Sequence, residues 1–590
     1  MLRRFQGKRR RLEFVTYDLE WIPGEMTERL VGIYDGRHYW SYPTTLDFLR
    51  GELTHKNRGK VFFAHAGGLA DVQFILNEII KRENPYYRVQ GSFSGSSLII
   101  CRIQAGHNTW TFVDSYWLLR DGLTKIGASL GLEKGSQEYQ CSNFPACGHG
   151  DETGKSLCMF YAPMAILRDY NALDCRILYA AIERLEDEVW ALGGQLRVTI
   201  ASTAMFLFRA SFLQQDIATL EHVNVIARDA YVASRVEVFE RDCVEADYFD
   251  VNSSFPWSMT KPQPAELIGT SKRYVEGKRL TLVDAEVVVP EMFIPPVPMR
   301  VEGRPFFPYG AFRRWFTGED LELILEAGGR IDRVHEVLWF AEFEDLCAYV
   351  MTIYEMRRRA KDPFQKLVYK YLMNSLYGKF GEGKDKMSLL VNPKKKPPAS
   401  EIKHTYRAGV YLVENEVEIK HAHVPIAANI TASSRALLTR FLWAAKGPVY
   451  YCDTDSLVTT DSTLPTSDQL GDLKHEKHIE KGTFLAPKLY RLFPGPTIRA
   501  KGFRTLTSDE FDLLAQGGVV SIDRMVRIRE NFKGGVFSPR EKSYDKRAMS
   551  HLSLDELSEM GIPAGQFTRP KRRIESDGST MPWSYHELLA

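Results

Sequence analysis

The sequence predicts a protein of several domains that combines α/β and α+β architecture. At 590 residues the chain is too long for one hydrophobic core, so it is expected to divide into domains. In the N-terminal third, strand-like runs at 12–18 and 61–64 alternate with helical stretches at 71–82 and 164–192, which is typical of an α/β domain. The section from 262 to about 340 is rich in proline and short β runs, which indicates an insertion between helical pieces.

The chain beyond this insertion begins with a helix signal. Asp362 and Pro363 fit an N-cap followed by proline at the first helical position, and they predict a helix that ends near residue 377. Farther on, strand-like runs at 387–391 and 410–419 flank a polar, basic loop. This pattern predicts a second insertion, built as a hairpin.

Composition limits the class of protein. Hydrophobic residues make up 44% of the chain and charged residues 26%, as in ordinary globular proteins. No apolar run reaches the roughly 18 residues of a membrane span, so no membrane association is expected. The eight cysteines lack disulfide-type spacing and no signal peptide precedes the first strand. We therefore expect reduced thiols in a cytosolic compartment.

Charge is informative through its distribution. The net charge is only +2, so bulk charge does not indicate a nucleic-acid partner. Basic clusters lie at 3–11, 357–361, 394–396 and 569–573. Such clusters are typical of phosphate-binding patches, although each one is equally consistent with a solvated surface.

Two segments carry carboxylates at the same spacing. Residues two apart in a strand share a face, so Asp18 pairs with Glu20 and Asp453 pairs with Asp455. Like charges this close destabilise each other unless a cation bridges them, and hard oxygen ligands suit Mg²⁺ or Mn²⁺. Two such ions are the common machinery for making or cutting phosphodiester bonds. A lone Asp-x-Asp is more often a surface turn, so this interpretation depends on the residues around it.

A third strand and a basic helix accompany these pairs. The strand at 248–251 carries Asp250 and continues into a turn that ends in proline. The helix predicted from residue 363 carries Lys366, Lys370 and Asn374 along one face. Two lysines and an amide in one line could be a solvated face, but among apolar neighbours they suit a triphosphate.

These segments resemble three motifs of family B DNA polymerases, in the order of that family. Residues 250–256 are similar to motif A, 370–378 to motif B and 451–456 to motif C, while 488–490 resemble the Lys-x-Tyr element that holds the primer terminus. The resemblance implies a right-hand polymerase of palm, fingers and thumb. It would copy a DNA template from deoxynucleoside triphosphates, with two Mg²⁺ or Mn²⁺ ions in the site.

The resemblance also implies roles for residues of this polymerase site. Asp250 and Asp455 would be the main metal ligands, assisted by the carbonyl of Val251 and with Asp453 nearby. The implied nucleotide-binding residues are Ser253, Ser254, Phe255, Arg358, Lys366, Lys370, Asn374 and Tyr377. The implied primer-binding residues are Lys488 and Tyr490. Phe255 stands where the family usually has a tyrosine that excludes ribonucleotides, so it keeps the ring and lacks the hydroxyl.

The N-terminal third resembles the family's 3′–5′ proofreading exonuclease domain, which has an RNase H-like fold. Asp18 and Glu20 match its first motif, 65–71 its second and 170–174 its third. The implied ligands of two further metal ions are Asp18, Glu20, Asp71 and Asp174. The implied residues that orient water or hold DNA are Tyr170, which would orient the attacking water, and His65 and Ser115, which would contact DNA.

Length and spacing favour the compact, protein-primed branch of the family, because larger relatives carry N-terminal sections that this chain lacks. The two insertions resemble the terminal-protein regions of that branch, which contact the priming protein and enclose DNA for processive, strand-displacing synthesis. The implied domains are 1–192 exonuclease, 193–261 first part of the palm, 262–355 first insertion, 356–382 fingers, 383–424 second insertion, 425–515 second part of the palm and 516–590 thumb and C-terminal segment.

The resemblance implies partners and a source as well. Template-primer DNA and a priming terminal protein are expected partners, and a single-stranded-DNA-binding protein is a further candidate. The enzyme is expected to be a monomer in the cytoplasm of a host cell, encoded by a virus or a linear plasmid. Neither the priming protein nor its hydroxyl residue can be read from the sequence.

The chain departs from the family pattern at several positions. Ala66 and Trp21 replace residues that usually hold single-stranded DNA, and 231–234 replaces a glycine-containing linker between the two activities. A separate cluster of possible zinc ligands consists of Cys141, Cys147, His149 and Cys158. Its spacing fits no common zinc motif, so unpaired thiols are expected there and not a Zn²⁺ site.

Three alternatives remain open at the level of sequence. A primer-independent family B polymerase with primase activity would share all of these motifs. A non-catalytic DNA-binding replication scaffold built on a decayed polymerase is a second alternative, and a nuclease with a vestigial polymerase half is a third. The presence of every expected carboxylate at both sites argues against the last two.

Overall fold

The structure is a computed structural model that describes residues 1–82, 85–132, 157–495, 497–503, 505–533, 538–552, 557, 560, 569–575 and 578–589. It is a multidomain α/β and α+β fold. Two large sheets, one N-terminal and one central, carry the two carboxylate clusters.

The N-terminal unit is a mixed sheet flanked by helices. Its strands are β1 (Phe14–Ile22), β2 (Thr27–Tyr34), β3 (Tyr39–Tyr42), β4 (Val61–Ala64), β5 (Arg88–Ser94), β6 (Ser97–Ala105) and β7 (Asn108–Asp114). Its helices are α1 (Thr45–Glu52), α2 (Asp71–Lys81), α3 (Leu123–Ser129) and α4 (Met164–Ala191), with 3₁₀ turns at His55–Asn57 and Ser115–Trp117. The strands lie in the order β5-β6-β7-β4-β1-β2-β3, and β4 runs parallel to both β1 and β7.

Strand β1 is covered on both faces, which explains its apolar sequence. Val15, Tyr17 and Leu19 lie on one face and are at most 3% exposed. On the other face Thr16 is buried and its hydroxyl donates to the Cys175 carbonyl of α4 at 2.8 Å. Because side chains alternate along a strand, Asp18 and Glu20 follow Thr16 on the face that α4 covers.

The first half of the central unit includes the proline-rich insertion. Its elements are α5 (Ile200–Ser211), α6 (Glu221–Ala230), β8 (Val236–Val238), β9 (Asp242–Val251), α7 (Ser254–Met259), β10 (Gln263–Ser271), β11 (Thr281–Val289), β12 (Met299–Val301), β13 (Arg304–Phe306), β14 (Gly310–Thr317), α8 (Gly318–Glu326) and β15 (Arg330–Phe343). Strands β10, β15, β11 and β14 form an antiparallel sheet in that order. The predicted insertion is therefore a sheet with its own apolar core, packed around Val283, Val287 and Phe316.

The next section contains the basic helix and the second insertion. Its elements are α9 (Asp345–Arg359), α10 (Pro363–Ser375), α11 (Tyr377–Phe380), β16 (Asp385–Val391), β17 (Ile402–Arg407) and β18 (Val410–Glu416). Asp362 caps α10 as predicted, since its carboxylate accepts the Phe364 N–H at 2.8 Å. The helix ends at Ser375 and a separate short helix follows, so the single helix predicted to residue 377 is interrupted at Leu376.

The second insertion differs from the predicted hairpin in two respects. The predicted loop contains a third strand, β17, which pairs with β18. In addition β16 pairs with β5, so the insertion extends the N-terminal sheet in the order β17-β18-β16-β5. Strand β17 is mostly polar and forms an outer edge, which explains why its sequence resembles a loop.

The rest of the chain completes the central unit and adds a C-terminal section. Its elements are α12 (Val424–Ala444), β19 (Val449–Asp453), β20 (Ser456–Thr459), β21 (Leu473–Ala486), β22 (Leu489–Phe493), β23 (Thr497–Ala500), α13 (Ser508–Ala515), β24 (Val520–Met525), α14 (Ile528–Lys533), β25 (Glu541–Lys546), β26 (Arg573–Ile574), β27 (Thr580–Met581) and α15 (Tyr585–Leu589). The central sheet is antiparallel, in the order β23-β22-β21-β9-β20-β19-β8. Helix α12 packs beneath it, with Leu438 and Leu442 against Phe249, Val251 and Leu473.

The ends of the chain are tied to its body. At the N-terminus Arg9 and Arg11 lie over the Trp190 ring at 4.2 and 5.0 Å, and Arg11 pairs with Asp187 at 2.5 Å. This part of the first basic cluster thus contributes packing within the protein. Near the other end, Phe532 of α14 joins the core of the N-terminal sheet. No helix in the described ranges combines the length and the apolar character that crossing a membrane requires.

Candidate active sites

The turn between β19 and β20 presents two of the central carboxylates. Asp453 pairs with Ser456 across the turn, and Thr454 between them has a φ of 63°. That left-handed conformation is unfavourable for a β-branched residue, so the surrounding contacts must hold it. The Asp455 N–H donates to the Asp453 carbonyl at 2.6 Å, and the Thr454 N–H donates to the Arg235 carbonyl at 2.7 Å. Backbone hydrogen bonds therefore define where Asp453 and Asp455 lie.

Strand β9 brings Asp250 to the same place. Asp250 is paired with Ser456 on the neighbouring strand β20, and the Val251 N–H donates to the Asp455 carbonyl at 2.7 Å. The sheet thus unites the carboxylates that the sequence pattern singled out in separate segments. We call Asp250, Asp453 and Asp455 the palm cluster.

The palm cluster has the electrostatics of a cation site. Burial, followed by the charges of Asp250 and Asp453, raises the pKa of Asp455 to about 7. Burial and the charge of Glu476 raise the pKa of Asp250 to about 6, although Lys370 acts in the opposite direction. Carboxylates that resist ionisation beside one another are stabilised as anions when a divalent cation binds. The donor chemistry therefore fits Mg²⁺ or Mn²⁺.

This fit rests on donor chemistry and not on a preformed cage. In the part of the chain that the structure describes, no group of three or more His, Cys, Asp or Glu side chains is arranged to hold a metal ion. At the palm cluster one reason is visible. The Lys488 ammonium contacts both carboxylate oxygens of Asp453, at 2.5 and 2.6 Å, and neutralises that group.

The Lys-x-Tyr segment lies against motif C. Lys488 has a φ of 65°, and its N–H donates to the Tyr451 hydroxyl at 3.0 Å. The Tyr490 ring is centred 5.4 Å from the Tyr451 ring. The two side chains predicted to hold a primer therefore border the palm cluster.

The predicted sugar-contacting ring lies on the other side of the cluster. Phe255 and Tyr377 stack with ring centres 4.2 Å apart and planes at 16°. Tyr377 lies close enough to Asp455 that this charge contributes, after burial, to raising the pKa of its phenol. Motifs A and B thus meet through two aromatic rings at the edge of the turn that carries Asp453 and Asp455.

The remaining predicted nucleotide contacts differ in accessibility. Ser254 is buried and its hydroxyl lies 2.7 Å from the Ser434 hydroxyl, so its side chain supports the turn and does not face a nucleotide. Ser253 is partly exposed, with a φ of 53°, at the start of α7. Lys366 and Lys370 are exposed on α10, where Lys370 influences Asp250.

Two further members of the predicted nucleotide set occupy the helices around this site. Asn374 is half-buried on the same face of α10 as the lysines. Arg358 is exposed at the end of α9 and lies 3.6 Å from Glu355. The two lysines and Asn374 therefore share one face of α10, whereas Arg358 belongs to the preceding helix α9.

The N-terminal sheet gathers a second set of carboxylates. Asn171 of α4 donates from its side-chain amide to the Asp18 carboxylate at 3.0 Å and to the Glu20 carboxylate at 3.3 Å. Burial, followed by the charges of Glu20, Asp71 and Asp174, raises the pKa of Asp18 well above its usual value. We call Asp18, Glu20, Asp71 and Asp174 the N-terminal cluster. As in the palm, mutual repulsion in a buried place fits a divalent cation.

Asp71 enters this cluster at the first turn of α2. Its carboxylate accepts the Leu19 N–H at 3.0 Å, which joins the helix to β1. Burial raises the pKa of Asp71 to about 7, even though hydrogen bonds from the backbone N–H groups of Asp71 and Leu19 lower it. Tyr170, predicted to orient water, is half-buried one helical turn before Asp174 and packs beside Leu30 and Leu167.

The loop before α2 depends on Asp114. Backbone N–H groups of Ala66, Gly68 and Tyr116 lower the pKa of Asp114, but burial raises it to about 6 overall. A Cβ on Gly68 would lie 2.0 Å from the Leu98 carbonyl and 2.8 Å from Asp114, so only glycine fits. Ala66 adopts a φ of 58°, a conformation that asparagine tolerates better than alanine.

The two predicted DNA contacts of this site form a pair. The Ser115 hydroxyl donates to the Ala64 carbonyl at 3.1 Å and lies 3.1 Å from Nδ1 of His65. Ser115 is fully buried, so in this arrangement it orients His65 and does not itself reach a DNA strand. The zinc candidates Cys141, Cys147 and His149 lie outside the described residues, and Cys158 is buried.

Sequence reasoning missed Asn171 and Asp114. Asn171 lies inside the segment that resembles the third exonuclease motif, but an amide carries no charge pattern. Asp114 directly precedes Ser115 at the end of an apolar strand, and that position was a usable signal. Asn171 donates to the Asp18 and Glu20 carboxylates, and Asp114 accepts N–H groups of the loop before α2. Only the folded structure reveals these contacts.

Comparison with known proteins agrees with this geometry. The family model for DNA polymerase type B, organellar and viral, matches residues 164–466. A probable DNA polymerase of Ascobolus immersus is 25% identical over 354 residues, which are 55% of this chain and 29% of the relative. The DNA-directed DNA polymerase of Enterobacteria phage PRD1 is 23% identical over 516 residues, 81% of this chain and 82% of the relative. The chain spans about a third of the length of the Ascobolus immersus relative and of a probable DNA polymerase of Neurospora intermedia.

A solved structure shares the fold. Phi29 DNA polymerase complexed with primer-template DNA and incoming nucleotide substrates superposes with a TM-score of 0.69. The sequences are 16% identical, and the match covers 91% of this chain and 99% of the other. This similarity confirms the predicted multidomain fold, in which an N-terminal nuclease-type sheet accompanies a right-hand polymerase.

Proposed function

The chain belongs to the organellar and viral type B DNA polymerases, and from that premise we propose that it is a DNA-dependent DNA polymerase. The observation that carries this proposal is the convergence of Asp250 and Asp455, with pKa values raised to about 6 and 7, beside the stacked pair Phe255–Tyr377. A site of this kind suits nucleotidyl transfer, in which charge on a phosphoryl group must be offset.

Asp250 and Asp455 are the residues that would hold divalent metal ions, with the Val251 carbonyl assisting. Bound there, the ions would lower the pKa of the primer 3′-hydroxyl and offset charge on the transferring phosphoryl group. The chain's own residues do the rest. Lys370 and Lys366 bind the triphosphate, and Asn374 lies on the same helix face.

The aromatic pair and the Lys-x-Tyr segment position the two reactants. Phe255, supported by Tyr377, packs beneath the deoxyribose and leaves no room for a 2′-hydroxyl. Lys488 and Tyr490 hold the primer terminus. The ion pair of Lys488 with Asp453 fixes the lysine beside the palm cluster, where the primer terminus would lie.

We propose a second activity, 3′–5′ proofreading, at the N-terminal cluster. Asp18, Glu20, Asp71 and Asp174 would hold metal ions there, and Tyr170 would orient the attacking water. Asn171 bridges the Asp18 and Glu20 carboxylates by donating to both, which fixes their positions relative to α4. His65, oriented by Ser115, would contact the frayed strand.

Initiation and partners extend the proposal. We propose protein-primed initiation with strand displacement, supported by the presence of both insertions and by the similarity to the phage PRD1 enzyme over 81% of the chain. Template-primer DNA and a terminal protein are the expected partners, and a single-stranded-DNA-binding protein a further one. The domain limits, the monomeric state and a location in the host cytoplasm remain predictions.

Primer extension tests the core of this proposal. The full chain, given Mg²⁺ and deoxynucleotides, should extend a labelled primer on a template, and Asp455→Asn should not. Incubation of a labelled nucleotide with template but no primer separates the modes of initiation. Label transferred to a supplied priming protein supports protein priming, whereas free oligonucleotides support the primer-independent alternative. Binding of DNA without incorporation would leave only a scaffold role.

A further inference from the structure

The strand next to motif C is short and lies at the edge of the central sheet. Strand β8 spans only Val236–Val238 and pairs with β19 on one side, as Tyr451↔Val238 and Asp453↔Val236. The residue before it, Arg235, accepts the Thr454 N–H through its carbonyl at 2.7 Å. The turn that carries Asp453 and Asp455 therefore rests on an edge strand that backbone pairing alone holds weakly.

Side chains from the first insertion secure one end of β8. Arg235 is fully buried, donates to the Pro295 carbonyl and lies over the Phe307 ring at 3.8 Å. It also lies 3.5 Å from Glu237. Burial of the Arg235 side chain thus fixes the position of its backbone carbonyl, which accepts the Thr454 N–H.

The C-terminal segment secures the other end of β8. Phe239, directly after the strand, donates its N–H to the Tyr450 carbonyl at 2.8 Å. Its own carbonyl accepts the Thr580 hydroxyl at 2.5 Å. The Arg572 guanidinium lies 4.8 Å from the Phe239 ring and donates to the Thr580 hydroxyl at 2.8 Å. Arg572 and Thr580 thus form a clasp around Phe239.

The clasp is an unusual use of a charged side chain. Arg572 is 2% exposed, and its burial lowers its pKa to about 10, an effect that Glu237 offsets only in part. A buried arginine that makes no hydrogen bond to a carboxylate contributes little to stability, and an apolar residue of similar size is often as good. What the planar guanidinium supplies is direction, because it lies over both the Phe239 and Phe293 rings and donates to Thr580 at the same time.

The segment that carries the clasp is itself anchored to the first insertion. The Arg304 side chain donates to the Arg569 carbonyl at 2.9 Å, and the Lys571 ammonium donates to the Pro305 carbonyl. The Tyr309 N–H donates to the Trp583 carbonyl at 3.2 Å. The clasp therefore has a fixed base from which to hold β8.

We propose that Arg572 and Thr580 are positioning residues for the polymerase site. They hold Phe239, Phe239 holds the end of β8, and β8 together with Arg235 holds the turn that bears Asp453 and Asp455. This inference rests on the proposed polymerase function, since it names a determinant of that same site. It gives the C-terminal segment a role at the palm in addition to its place after the thumb.

Single-nucleotide incorporation by Thr580→Val, Thr580→Ser and Arg572→Met tests the proposal. Thr580→Val removes the hydroxyl at constant shape, and we expect kcat to fall about tenfold with KM for the deoxynucleotide nearly unchanged, as for outer residues that orient metal ligands. Thr580→Ser keeps the hydroxyl and should restore kcat. Arg573→Gln is the matched control, because Arg573 lies in the same segment but pairs with Glu575 and Glu587.

Two further measurements separate positioning from general damage. Degradation of single-stranded DNA by the same variants should stay at the wild-type rate, since the N-terminal cluster lies on β1, α2 and α4 whereas the clasp lies beside β8 of the central sheet. Hydrogen exchange should accelerate in Thr580→Val and Arg572→Met at the Thr454 amide, which donates to Arg235.

The outcomes are distinct. Wild-type kcat and exchange in both Thr580→Val and Arg572→Met would overturn the clasp. So would equal losses in the Arg573→Gln control, or equal losses of synthesis and degradation. A wild-type chain that incorporates no nucleotide would instead refute the proposed function.

Discussion

At the scale of single residues, the aromatic pair Phe255–Tyr377 determines the shape of the proposed sugar pocket. The rings are parallel within 16° and 4.2 Å apart, so Tyr377 keeps Phe255 from rotating away. A phenylalanine can therefore exclude a 2′-hydroxyl by shape alone. The proposed exclusion of a 2′-hydroxyl therefore depends on the ring and does not require the tyrosine hydroxyl that the family usually has here.

Replacing Phe255 tests this interpretation. Phe255→Val removes the ring, and we expect the ratio of kcat/KM for dNTP over rNTP to fall by at least about tenfold, because space opens for the 2′-hydroxyl. Phe255→Tyr is the matched control and should keep the ratio, since the ring remains. If the ratio did not change in Phe255→Val, a residue other than Phe255 would have to exclude ribonucleotides.

His423 makes a prediction about pH. It is buried at the start of α12, its Nε2 donates to the Ala265 carbonyl at 2.9 Å, and burial lowers its pKa from 6.5 to about 4. Between these values the unfolded chain binds a proton that the folded chain does not, so stability falls as the pH drops from 6.5 towards 4. The loss approaches roughly 3 kcal/mol at most.

The measurement compares wild type with His423→Gln, which can still donate to Ala265 but does not titrate. Melting temperatures taken between pH 7 and 4.5 should converge or cross as the pH falls, because only the wild type loses this contribution. A constant difference between the two proteins across this range would contradict the prediction.

At the scale of elements, the second insertion has two parts with different roles. Strands β16 and β18 belong to the N-terminal sheet, because β16 pairs with β5. Deleting the whole insertion would therefore strip an edge from the proposed exonuclease domain. The loop between β16 and β17 carries the exposed Lys394, Lys395 and Lys396, and we expect the DNA contacts of the insertion there.

Neutralising that loop is the sharper experiment. We expect the triple variant Lys394→Ala, Lys395→Ala and Lys396→Ala to shorten products made in one binding event and to weaken DNA binding with a smaller salt dependence, by up to about one unit of slope per lost phosphate contact. Lys403→Ala is the control, because Lys403 is already paired with Glu414 at 2.9 Å.

Primed single-stranded circles under single-binding conditions provide the readout. Filling of short gaps should be nearly normal in the triple variant, since the palm cluster is untouched. If the triple variant made products of undiminished length that continued past a full circle, the loop would be a surface loop without DNA contact.

At the scale of the whole molecule, the two carboxylate clusters occupy different sheets. The palm cluster lies on β9 and the turn after β19, and the N-terminal cluster on β1, α2 and α4. Helix α10 connects the two units, since the Tyr371 hydroxyl donates to Asp121 at 2.5 Å and Arg184 pairs with Asp362 at 3.0 Å. The two activities should be separable although their domains are in contact.

Substitution of each cluster tests this separation. Asp250→Ala or Asp455→Ala should abolish incorporation and leave degradation of single-stranded DNA largely intact, whereas Asp18→Ala with Glu20→Ala should do the reverse. A chelator should remove both activities, because in the proposed mechanism both clusters hold divalent cations. Loss of both activities from either set, in a chain with an unchanged melting temperature, would contradict the assignment of two sites.

The sequence alone predicted the chemistry that we propose for this protein. Asp18 with Glu20 and Asp453 with Asp455 are local patterns, as is the row of Lys366, Lys370 and Asn374, so strand and helix periodicity suffices to interpret them. For the same reason Asp362 predicted the start of α10. The family resemblance then supplied the order of the motifs and with it the fold.

Only the tertiary structure decided how these pieces meet. Pairing of β16 with β5, burial of Ser254 and Ser115, and the clasp of Arg572 on Phe239 all join residues far apart in the chain. No local period encodes such contacts, because sheet order and burial depend on which surfaces the whole chain leaves available. Patterns within a segment therefore predicted the candidate reacting groups, and long-range packing determined which residues hold them in position.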